Sequence, residues 1–99
     1  IHGAWGIDKI KIYWCKKKAA KAKTEVAAGV IYRSCYSGNK LTYSCGKKAA
    51  KAKTVLAANR MLIGCFSGNK RMYSCGKKAA KAKNVSVAGV IYRACYNDY

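Results

Sequence analysis

Negative charge is nearly missing from this chain. Asp8, Glu25 and Asp98 are its only acids, set against 21 Lys and Arg residues and a formal net charge of +18. Histidine is just as scarce, with His2 alone near the start. Acid–base catalysis needs a base and usually a second titrating group beside it. Three widely spaced acids and one histidine near the terminus offer no such pair, and the hydroxyls of Ser37 and Ser44 have no evident partner. No phosphate-cradling motif is present, because Gly38 and Gly68 read as turn residues. The expectation is a protein that is not an enzyme and carries no cofactor.

No apolar run approaches the roughly 20 residues a membrane span requires. No charged segment followed by an apolar one marks a signal peptide. The start, Ile1-His2-Gly3, has no Met and reads as a mature, processed form.

Cysteine is what the chain does have. Cys15, Cys35, Cys45, Cys65, Cys75 and Cys95 are even in number and regular in spacing. That pattern predicts disulfides, an oxidising compartment and a secreted, extracellular protein. Zinc would need close pairs such as Cys-x2-Cys, so no metal site is expected. Each bridge would add about 2–4 kcal/mol. That offsets the self-repulsion of a strongly cationic chain.

The sequence repeats with a period of about 30 residues. Cys45-Gly-Lys-Lys-Ala-Ala-Lys-Ala-Lys53 returns unchanged from Cys75 to Lys83, and a near copy runs from Cys15 to Lys23. Gly29-Val30-Ile31-Tyr32-Arg33 returns as Gly89-Val90-Ile91-Tyr92-Arg93. The reading is one domain, 1–99, with units 15–44, 45–74 and 75–99, the last completed by 5–14. Val30–Tyr36 and Lys40–Cys45 are rich in β-branched and aromatic residues around Gly38-Asn39, which predicts a β-hairpin. Lys47 to Ala58 reads as a helix, with Lys47, Lys48 and Lys51 opposite Ala49, Ala52 and Leu56, and with Gly29, Asn59 and Gly89 as its stops.

The fold class expected is therefore α+β: a small disulfide-stabilised domain of three helix-plus-hairpin repeats with pseudo-threefold symmetry. Asp8–Cys15 would pair with Val90–Tyr96 to close the ring and remove exposed edges, with Trp14 plugging the closure. An all-β prism or solenoid is the alternative, and an open stack capped by Ile1–Ile7 is the alternative to closure. Two symmetric disulfide schemes fit. The register of the expected hairpin sets Cys35 opposite Thr42, which favours 15–35, 45–65 and 75–95 over a scheme joining 35 to 45.

The cassettes carry the functional signal. Lys16, Lys17, Lys18 and Lys21 follow a spacing associated with heparin, and Lys23 completes the cassette. Lys47, Lys48, Lys51 and Lys53 repeat most of it, as do Lys77, Lys78, Lys81 and Lys83. On one helical stripe they would present ammonium groups to phosphate or sulfate. Arg33, Arg60, Arg71 and Arg93 are secondary candidates. The function expected is a secreted, cationic polyanion-binding protein of host defence, antimicrobial by electrostatic attraction to anionic surfaces. Expected partners are lipopolysaccharide, teichoic acid, sulfated glycans and an anionic membrane surface, with nucleic acid in vitro. A lectin-like or glycosaminoglycan-binding module with one site per repeat is the alternative. Tyr32, Tyr36, Tyr43, Tyr73, Tyr92 and Tyr96 read as cross-strand packing residues, with sugar stacking or membrane-interface insertion as the alternative, and Trp5 as a structural or interfacial one.

Overall fold

The structure, a computed structural model, describes residues 2–98 and, of their side chains, those of residues 9–98. It is helical throughout: α1 (His2–Ala19), α2 (Glu25–Ser37), α3 (Lys40–Ala49), α4 (Val55–Ser67), α5 (Lys70–Ala79) and α6 (Val85–Asp98). No strand occurs among the described residues. The α+β expectation and its all-β alternative are both corrected. The side-chain readings of His2 and Trp5 lie outside the described residues.

The correction begins at Ser37-Gly38-Asn39-Lys40. Gly38 has φ of 76°, the left-handed conformation that only glycine adopts without strain, and it caps the C-terminus of α2. Asn39 then caps the N-terminus of α3, with its Oδ1 accepting from the Thr42 N–H at 3.1 Å. The same pair, Gly68 and Asn69, joins α4 to α5. A dipeptide that suits a hairpin turn here stops one helix and starts the next. Val30–Tyr36 and Lys40–Cys45 are accordingly helical, and so is Asp8–Cys15.

The cassette helix is corrected as well. It ends at Ala49, and the chain loops through 50–54 before α4 begins. Lysine and alanine favour helix, but tertiary contacts override that preference. Ala52 in the loop is fully buried. Thr54 caps α4 by accepting from the Ala57 N–H at 3.3 Å. Thr24 and Asn84 start α2 and α6 in the same way. Gly29, Asn59 and Gly89, expected as helix stops, lie inside α2, α4 and α6.

Each helix packs on its neighbours in the chain, and α4 also touches α2 and α6. Among the described residues α1 meets α2 alone, so the ring does not close. The molecule is an elongated slab with extents of 57 × 25 × 11 Å. Trp14 is exposed beside Tyr13, not plugged into a closure. Disulfides Cys15–Cys35, Cys45–Cys65 and Cys75–Cys95 tie α1 to α2, α3 to α4 and α5 to α6. No free cysteine remains. Such bridges belong to an oxidising environment. Among the described residues no helix is long and apolar enough to cross a membrane.

The core is made largely of alanine, with Ile31, Met61 and Leu62 as larger buried side chains. Alanine buries little apolar area, so each core residue adds little stabilisation. Glycine instead brings the helices close. A Cβ on Gly46 would meet Ile31 Cγ1 at 3.0 Å, and one on Gly76 would meet Met61 Cγ at 3.0 Å. The corresponding residue of the first cassette is Lys16, exposed on α1, which among the described residues packs on α2 alone.

Candidate functional site

The three cassettes end three helices on one edge. Lys16, Lys17 and Lys18 lie in the last turn of α1, Lys47 and Lys48 in that of α3, and Lys77 and Lys78 in that of α5. Cations there complement the negative end of the helix dipole, typically by about 0.3–1 kcal/mol each. Lys21, Lys23, Lys51, Lys53, Lys81 and Lys83 fall in the loops that follow. The expected single helical stripe of lysines therefore does not exist; the cations are divided between helix ends and loops.

Those loops are joined to one another. The Lys23 backbone N–H donates to the Ala50 carbonyl at 3.2 Å, and the Lys53 N–H donates to the Ala80 carbonyl at 3.1 Å. Each bond ties one cassette to the next. The three basic segments thus form one continuous ridge.

Between successive cassettes lies a cleft, and there are two such clefts built alike. The first, of about 380 Å³, is lined by Lys18, Lys21, Lys23, Ile31, Tyr43, Lys47, Ala50 and Lys51. The second, of about 330 Å³, is lined by Lys48, Lys51, Lys53, Met61, Tyr73, Lys77, Ala80 and Lys81, with Lys23. Residue by residue, the second is the first moved on by one repeat, with Met61 in place of Ile31. Lys23 and Lys51 line both, so the two clefts run into each other. No acidic side chain lines either.

A tyrosine sits in each cleft. The ammonium groups of Lys18 and Lys47 lie over the Tyr43 ring, 5.5 and 5.6 Å from its centroid. Lys48 and Lys77 take the same places over Tyr73, at 5.7 and 6.0 Å. These are cation–π distances. Both rings are half-buried. Sequence reasoning placed Tyr43 and Tyr73 in strand packing and missed their place beside the lysines. The available signal was spacing: Tyr43 precedes Lys47, and Tyr73 precedes Lys77, by one helical turn.

The remaining candidates are placed elsewhere. Lys16 lines a separate depression with Ala20, Gly29 and Tyr32, and Lys17 lies over the Tyr13 and Trp14 rings. Lys78 and Lys83 are exposed and line neither cleft. Arg60 stacks over Tyr92 at 5.2 Å and Arg71 over Tyr96 at 4.3 Å, with Arg71 Nη2 donating to the Tyr96 carbonyl. Tyr92 and Tyr96 pack on each other, one helical turn apart, as do Tyr32 and Tyr36. Burial raises the Tyr92 phenol above its usual value, while the Arg60 guanidinium pulls the other way. Arg60 and Arg71 thus join α4 and α5 to α6. Arg33 donates from Nε to the Gly29 carbonyl at 3.4 Å, and Arg93 is exposed on α6.

No family model matches the chain, and neither a curated protein nor a solved structure matches it.

Proposed function

We propose that this is a secreted, non-enzymatic protein that binds anionic polymers, and that it serves host defence by attaching to anionic microbial surfaces. The observation that carries this reading is the pair of equivalent clefts, lined by lysine and by no acid. Like charges held this close repel, and an anion between them relieves the repulsion. Binding therefore draws on an electrostatic cost already present in the fold. Backbone bonds between the loops fix the backbone that carries the cations, so the ordering needed when a ligand arrives is confined to the lysine side chains. The partners proposed are lipopolysaccharide, teichoic acid and sulfated glycans, with an anionic membrane surface and nucleic acid as weaker targets.

The test is binding to immobilised lipopolysaccharide and teichoic acid as salt is raised. Retention should weaken steeply over the range in which the screening length shortens from about 30 Å to about 8 Å. Binding that ignores salt, or that is equally strong on a neutral glycan, contradicts the proposal.

A further inference from the structure

Two features of the ridge go beyond general attraction to negative charge. The clefts are continuous through Lys23 and Lys51, and each holds an aromatic ring among its lysines. A phosphate or sulfate group alone needs no aromatic surface. A sugar ring makes use of one, because its C–H face packs on an aromatic while its polar edge stays available to donors. The apolar lining from Ile31 and Ala50, and from Met61 and Ala80, supplies further surface of the same kind.

Resting on the polyanion-binding reading, we infer that the ridge is a two-subsite groove for a linear sulfated or phosphorylated glycan. One sugar ring lies on Tyr43 and a later one on Tyr73. Lys18 and Lys47 hold anionic groups at the first subsite, Lys48 and Lys77 at the second. Lys23 and Lys51 take the anionic groups between them. Among the described residues no tyrosine stands beside Lys78 and Lys83, so these residues form two subsites, where one site per repeat would give three.

Chain length is then a readout that simple charge attraction does not share. Two linked subsites turn the second contact into an intramolecular one, which raises affinity sharply once a ligand spans both. The experiment uses the full oxidised chain and heparin oligosaccharides from disaccharide to dodecasaccharide, with inorganic polyphosphates of matched charge and phosphatidylglycerol vesicles as comparison probes. Oligosaccharide affinity should step upward at the length that spans both clefts. Polyphosphate affinity should climb smoothly with charge. Tyr43→Ala or Tyr73→Ala should weaken the long oligosaccharides about tenfold, remove the step and weaken polyphosphate binding by much less. Tyr43→Phe and Tyr73→Phe keep the ring and should bind as the parent does. They also stand in if the alanine variants do not fold: their loss of the step would contradict stacking.

Equal length dependence for oligosaccharide and polyphosphate would overturn the groove and leave polyanion binding standing. Binding to vesicles with none to any soluble oligosaccharide would overturn it too and assign the ridge to a lipid surface. Binding to none of the three probes would remove the proposed function along with the groove.

Discussion

Gly64 lies against the backbone of Tyr73 so closely that a Cβ on it would stand 2.5 Å from the Tyr73 nitrogen. This is where α4 crosses α5. The corresponding residue of the first repeat is Ser34, buried and donating from Oγ to the Val30 carbonyl at 2.6 Å. Gly64→Ala should therefore destabilise the fold by about 1–3 kcal/mol through overpacking, although alanine is the better helix former. Chemical unfolding of the oxidised protein measures it. The second cleft should also lose affinity, since Tyr73 is one of its walls.

A complementary pair of substitutions tests why the first cassette differs. Gly46→Lys would force a side chain against Ile31, where even a Cβ stands at 3.0 Å. It should destabilise strongly. Lys16→Gly leaves an exposed position and should cost only the helical propensity of glycine, about 1 kcal/mol. Thermal unfolding of the two variants compares them directly.

Reduction should be severe. Each disulfide closes a loop with a sequence separation of 20, worth about 3 kcal/mol in chain entropy. An alanine-rich core has little to set against the loss of all three. Reduced protein in low salt should lose most of its helical circular dichroism. Added heparin should restore part of it, because a ligand that binds only the folded state stabilises that state. Unchanged helicity after full reduction would show that the core suffices.

Alkaline pH should reveal Tyr92. Its phenol is raised by burial, so the folded state holds the proton more tightly than the unfolded state. The contribution is fully present below the ordinary tyrosine value, near 10, and is lost as pH rises through the higher folded value. Tyr92→Phe cannot titrate, so it should lose less stability than the parent on going from about pH 9 to about pH 11. Comparing the two proteins cancels the lysines, which titrate in both.

The repeat, the number of bridges and the basic cassettes were legible in the sequence. The secondary structure of the intervening segments was not. Val30–Tyr36 carries β-branched and aromatic residues that favour a strand out of context. Gly38-Asn39 serves a hairpin turn or a helix stop followed by a helix start equally well. What separates the two readings is periodicity. Tyr32 and Tyr36, or Tyr92 and Tyr96, stand one helical turn apart, and their rings meet. Thr24, Thr54 and Asn84 each start a helix, and the cassette reading ran through the second of them. The expected pairing 15–35, 45–65 and 75–95 is the one observed. Its stated reason, the register of a β-hairpin, is not, because the hairpin is absent. The clefts were hidden for another reason. They join residues of two repeats through loop-to-loop hydrogen bonds, which no single repeat contains.

The central claim is that the arrangement of lysines, and not the net charge alone, makes the site. Two triple variants of equal charge test it. One replaces Lys23, Lys51 and Lys53 of the clefts with Gln, and the other replaces Lys9, Lys40 and Lys70, which line neither. Binding to lipopolysaccharide at physiological salt is the measurement. The account predicts that the cleft variant loses most of its affinity while the other stays near the parent. Equal losses in the two would contradict it, and would reduce the site to diffuse positive charge.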